Sequence, residues 1–133
     1  MNFFRKIFGT KPPLNKTTEN NVTPQLTNQS ELKFSNQVNR NMLGKENEQN
    51  GNLKIAIKYY EKNIEEGFVG NHPYDRLAII YRKNKDYENE TRVLNRAIEI
   101  FHELSKTSSR GDIKPKLEKF QERLIKVEKL KKR

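Results

Sequence analysis

The feature that most constrains this chain is a self-similarity at a spacing of 34 residues. Leu43 answers to Leu77, Gly44 to Ala78, Leu53 to Tyr87, Tyr60 to Leu94 and Ile64 to Ile98. A fixed period of about 20–50 residues is the mark of stacked supersecondary units, each of which leaves an apolar face for a neighbour to cover. The type of unit follows from the finer spacing. Apolar residues recur at three- and four-residue steps and never alternate with period two, so the units are helical and the fold class is all-α.

Five helices can be placed before any packing is known. Leu32, Phe34, Val38, Met42 and Leu43 mark the first, closed by Asn50-Gly51, where Gly enters the left-handed region without strain. Leu53, Ala56, Ile57, Tyr60 and Ile64 share one face of the second, which Gly67 stops. Asn71 and Pro73 open the third, whose stripe is Tyr74, Leu77, Ala78 and Tyr81. Asn84-Lys85-Asp86 makes the next turn, with Asp86 as N-cap of a helix carrying Tyr87, Leu94, Ala97, Ile98, Phe101 and Leu104. A break at residues 105–111 precedes a last helix, expected over 112–133, with Leu117, Phe120, Leu124 and Val127 on one side.

The residues that carry the repeat are Leu43-Gly44 then Ala56-x-x-x-Tyr60 in the first unit, and Tyr74-x-x-Leu77-Ala78-x-x-Tyr81 then Leu94-x-x-Ala97 in the second. This pattern resembles the tetratricopeptide repeat, over about residues 37–70 and 71–104. Small residues let the helices of a hairpin approach, and large ones fill the space around that contact. Arg40, Asn47 and Asn63 depart from the pattern in the first unit, and Glu90 stands where the first unit has Ala56. A Glu facing a close-packed backbone is costly unless it turns outward, which predicts a rotated or displaced fourth helix.

Charge separates the repeat from its flanks. Residues 1–35 hold five Lys/Arg against two acids, residues 36–104 eleven of each, and residues 105–133 eleven against four. Attraction to a polyanion would therefore reside in the flanks. Residues 1–31 read as a flexible basic arm, because Gly9, Pro12, Pro13 and Pro24 interrupt a Thr/Asn/Gln/Ser stretch with few apolar points. The arm opens on Phe3, Phe4, Ile7 and Phe8 with Arg5 and Lys6, a short amphipathic start suited to a membrane interface, a partner, or the repeats themselves. Three readings are open for the last helix: a terminal cap, a basic surface formed by Lys126, Lys129, Lys131, Lys132 and Arg133, or a short dimerising coil.

Chemistry is sparse. Cys is absent, which removes disulfides, thiolate catalysis and Cys-based zinc sites together. The two histidines, His72 and His102, have no spacing that suggests a shared metal, and no cofactor is expected. No phosphate-binding loop, nucleophile elbow or dinucleotide fingerprint occurs, so the chain does not read as an enzyme. No run of apolar residues is long enough to span a bilayer, and the N-terminus lacks the order of a secretory signal, which makes a cytoplasmic location the expectation. The wealth of Asn and Lys suits an AT-rich bacterial or phage genome.

The resemblance implies a protein–protein adaptor whose first helices line a groove for a peptide or helix. It points to Asn41, Lys45 and Glu48 in the first unit and to His72, Asp75, Ile79, Arg82 and Lys83 in the second. Ile79 lies off the Leu77/Tyr81 stripe, where it could anchor a partner side chain while Arg82 reads a carboxylate. The alternative is an accessory factor for nucleic acid or an anionic membrane, acting through the basic last helix.

Overall fold

The computed structural model describes the backbone of residues 25–133, with side chains from Asn28 onward. The aromatic start at Phe3–Phe8 and most of the basic arm lie outside the described residues. Five helices follow one another: α1 Gln25–Gln49, α2 Leu53–Glu65, α3 His72–Lys83, α4 Tyr87–Thr107 and α5 Ile113–Lys131. Among the described residues there is no strand. The chain divides into two units at Lys33/Phe34. Of the first, only the opening turns of α1 are described.

The turns show why the period is 34. Gly51 ends the α1 turn with φ 82°, and Lys85, the equivalent residue of the second unit, ends α3 with φ 58°. The same left-handed step thus reverses the chain in both hairpins, once with the residue that adopts it freely and once with one that does not. Asp86 caps α4 by accepting a hydrogen bond from the Asn89 backbone N–H at 3.2 Å. Asn71 occupies the N-cap of α3 but turns its side-chain amide to Asp75 instead of capping.

The core runs through α2, α3, α4 and α5. Ala56, Tyr60 and Ile64 of α2 meet Tyr74, Leu77 and Ala78 of α3, which meet Val93, Leu94, Ala97 and Phe101 of α4. Ile113, Leu117, Phe120 and Val127 of α5 close the far side of α4. Three rings knit this end together at centroid distances of 6.3 Å (Tyr74–Phe101), 6.1 Å (Tyr74–Phe120) and 5.3 Å (Phe101–Phe120), all edge-on. Edge-to-face geometry at these distances adds to the area each ring buries. The Tyr74 hydroxyl, deep in this cluster, donates to the Phe68 carbonyl at 2.7 Å, so its burial leaves nothing unsatisfied.

In the first hairpin Gly44 is the point of closest approach. A Cβ there would lie 2.5 Å from the Tyr60 ring. The ring passes over the bare backbone, and its hydroxyl donates to Glu48 at 2.8 Å. Small-against-large packing in the first unit therefore rests on Gly44 and Tyr60, as their spacing suggests.

Three features differ from the sequence reading. α1 begins at Gln25, seven residues earlier than its apolar stripe, because Leu26-Thr27-Asn28-Gln29-Ser30-Glu31 contains no Gly or Pro to stop it. The stripe Phe34, Val38 and Met42 is exposed, as is Leu53 at the start of α2. The face of α1 that turns inward is mixed: Gln37 is buried, Arg40 reaches into the hairpin, Gly44 meets Tyr60, and the part-exposed Phe34 stacks on Phe68 at 5.8 Å between centroids. Finally, Glu90 does not turn outward. It is 1% exposed and held by Arg82, so α4 keeps its place in the hairpin with a charge inside it.

Candidate partner-binding face

The residues that break the repeat pattern find one another. Asn63, fully buried in α2, donates from Nδ2 to the Gln37 carbonyl (2.8 Å) and to Asn41 Oδ1 (2.9 Å), while its Oδ1 accepts from Arg40 (2.9 Å). Arg40 also donates to Glu66 at 2.9 and 3.3 Å, and Gln37 donates to the same carboxylate at 3.1 Å. A buried amide with both N–H groups and its oxygen partnered costs little, whereas the same Asn unpaired would be expensive. The Arg40 hydrogen bonds and the nearby charge hold the Glu66 carboxyl below its ordinary pKa against a smaller opposing effect of burial.

The face named from the sequence is formed by α1 and α3. Lys45, Glu48, Gln49, His72 and Arg76 line a cleft of about 430 Å³ between them. Glu48 accepts from Arg76 Nη2 at 2.7 Å, from Arg76 Nε at 3.0 Å and from the Tyr60 hydroxyl. Burial alone would raise the Glu48 pKa, but the hydrogen bonds from Arg76 and Tyr60 outweigh it and keep the carboxylate charged. Burial, and then the same contact with Glu48, push the Tyr60 phenol far up. His72 stands edge-on to Tyr60 at 5.5 Å between ring centroids. Partial burial, and then the positive charge of Arg76, lower its pKa, so the imidazole is held neutral.

Further along α3, Asp75 accepts from Arg123 of α5 at 2.8 Å, and Ile79 is 37% exposed with Lys83 one turn beyond. Arg82 donates to both Glu90 oxygens at 2.8–2.9 Å. Of the sequence-named residues, Lys45, Glu48 and His72 share one cleft, while Asn41 belongs to the Asn63 network. Asp75, Ile79 and Lys83 lie on one side of α3, and Arg82 is engaged from the α4 side. Sequence reasoning missed Arg76 and Arg123. Each pairs with a groove acid from a different helix, and no local spacing relates Arg76 to Glu48 or Arg123 to Asp75.

On the alternative surface, Lys126, Lys129, Lys132 and Arg133 are exposed. Lys131 is tied back to α4, its Nζ 3.4 Å from Thr91 Oγ1 and 3.8 Å from Glu88. Arg110-Gly111-Asp112 is likewise turned on itself, with Arg110 pairing Asp112 at 2.9–3.0 Å and donating to the Val69 carbonyl at 2.9 Å. His102 is exposed on α4 and does not line the cleft. Among the described residues no cluster of three or more His, Asp or Glu is placed to hold a metal, and no helix is long and apolar enough to cross a membrane.

Two antiparallel helix hairpins in series, followed by a helix that covers the last one, define a helical-repeat protein. The family model of the tetratricopeptide repeat matches residues 39–65 and 72–101, so the two hairpins are tetratricopeptide repeats. Such repeats are generally protein–protein interaction modules and typically non-catalytic scaffolds. The match stops short of α5. No curated protein and no solved structure matches the chain.

Proposed function

We propose that this chain is an adaptor that holds a peptide or helix of another protein against the face made by α1 and α3. The supporting observation is Ile79. It is an aliphatic side chain left 37% exposed on a helix whose Leu77, Ala78 and Ile80 are all buried. It has cations beside it and a preformed cleft at the start of the same helix. An exposed aliphatic framed by charged groups supplies both an anchor and a means of orienting a ligand. The Arg82 guanidinium is occupied by Glu90, so the cation offered beside Ile79 is Lys83, which is exposed and in none of the ion pairs found among the described residues.

The test is affinity capture from the native host with the full chain, comparing wild type with Ile79→Asp and with Lys45→Glu/Lys83→Glu. The adaptor reading expects the same partner to be lost from both variants while their circular dichroism is unchanged. If both variants retain it and a chain neutralised at Lys126, Lys129, Lys132 and Arg133 loses it, the basic last helix carries the function instead. The exposure of those four residues supports that second reading, and its affinity would collapse with salt.

A further inference from the structure

α1 is fastened largely by polar groups and carries its apolar ridge outward. None of the side chains in the buried core, or packed against it, belongs to α1. Its inner face is tied down by Arg40 and Gln37 to Glu66, by Asn41 to Asn63, and by Glu48 to Arg76. Phe34, Val38 and Met42 are exposed. Side chains four residues apart line up as one ridge along a helix, so these three form a continuous apolar strip.

The repeat period says what kind of surface this ridge is. Shifted by 34 residues, Phe34, Val38 and Met42 become Phe68, His72 and Arg76. All three of those touch the first hairpin. Phe68 stacks on Phe34 at 5.8 Å between ring centroids, His72 stands edge-on to Tyr60 at 5.5 Å, and Arg76 binds Glu48 at 2.7 Å. The ridge of α1 is thus the repeat equivalent of an internal joint, exposed among the described residues. It offers apolar groups where the internal joint has an imidazole and a guanidinium.

The other end of the array offers no such joint. α5 exposes Lys114, Glu118, Gln121, Glu122 and Lys129, and Ile125 is the one large apolar side chain exposed along it. Head-to-tail stacking of copies needs a joint at both ends. Copies with one open end pair open end to open end, which closes at two.

We propose that the α1 ridge is a self-association surface, covered by the same ridge of a second copy in a two-fold antiparallel pair. The strip is self-complementary about Val38. With Val38 against its own counterpart, Phe34 of each copy meets Met42 of the other, and a thioether packs well on an aromatic ring. Glu31 and Lys45 stand seven residues either side of Val38, both exposed, so each Glu31 falls opposite the Lys45 of the other copy. A parallel pair would set like charges against each other at both places. One helix a side falls short of the about 20–30 residues of a standard interface, so the pair is weak, with a Kd on the order of 10 µM to 1 mM.

Sedimentation equilibrium of the full chain between about 10 µM and 1 mM tests this. The expected outcome is a monomer–dimer equilibrium that goes no further than two. Val38→Asp/Met42→Asp should abolish the dimer at unchanged circular dichroism, since both positions are exposed. Lys45→Glu should raise the Kd about fivefold or more, and Glu31→Lys/Lys45→Glu should bring it back, because the exchanged pair is complementary again. Met42 should grow resistant to peroxide oxidation as the concentration rises. Open-ended assemblies, or a dimer indifferent to Val38→Asp/Met42→Asp, would overturn the proposal. So would a monomer at every concentration: a protected Met42 would then assign the ridge to a segment of the same chain, and a reactive one to solvent or a different protein.

Discussion

Removing Arg82 should damage this protein far more than removing the buried acid it serves. Glu90 is 1% exposed, whereas the Arg82 side chain is 35% exposed. In Arg82→Ala the carboxylate stays in the hairpin with its two short hydrogen bonds gone, an uncompensated charge whose penalty is about 3–5 kcal/mol in a fully buried pair. Because Arg82 reaches solvent, water can enter along its vacated path, which reduces the expected loss to about 2–4 kcal/mol. In Glu90→Ala the freed guanidinium turns to water, and the position takes the residue found at Ala56 in the first repeat, so the cost is about 0–1 kcal/mol. The double variant Arg82→Ala/Glu90→Ala should sit within about 1 kcal/mol of Glu90→Ala alone, because the buried charge is gone in both. Urea unfolding followed by circular dichroism measures all three, with unchanged m-values as the check that only stability moved. Equal losses for the two single variants would refute the claim that the charge inside this hairpin depends on Arg82.

Four further outcomes follow from the same structure. Lys85→Gly should stabilise by about 1 kcal/mol, since φ 58° is strained for Lys and free for Gly, as at Gly51; thermal melting reads it directly. Gly44→Ala should destabilise by about 1–2 kcal/mol despite the better helix propensity of Ala, because its Cβ would meet the Tyr60 ring, and Tyr60→Leu in the same chain should recover part of that loss. Deleting residues 112–133 removes Phe120 from Phe101 and Tyr74, large side chains worth about 1.5–3 kcal/mol each when buried, so the shortened chain should melt non-cooperatively or aggregate. Acid should weaken the fold in two stages. The depressed pKa of His72 means that the unfolded chain takes up its proton first, so stability falls as pH drops below the ordinary histidine value of about 6.5 until the folded His72 also titrates. Glu48 and Glu66, also depressed, withdraw their stabilisation only below the ordinary carboxylate range of about 4. His72→Gln should remove the first stage and leave the second, as pH-dependent urea midpoints would show.

What the sequence determined by itself is local and periodic. The 34-residue spacing, the glycine and asparagine turns and the stripes of α2 to α5 specify helices and their order, because helix formation and chain reversal depend on neighbours a few residues apart. The aromatic closure by Phe120 was legible in the same way, as an apolar stripe with nothing else to cover it. What the tertiary structure decided is polar and long-range. Arg40 finds Asn63 and Glu66, Arg76 finds Glu48, Arg82 takes a buried Glu90, and Arg123 crosses from α5 to Asp75. Ion pairs and hydrogen bonds between helices carry no periodic signature. Long side chains choose partners by where packing puts them, and those choices set which charges of the α1/α3 face are paired among the described residues.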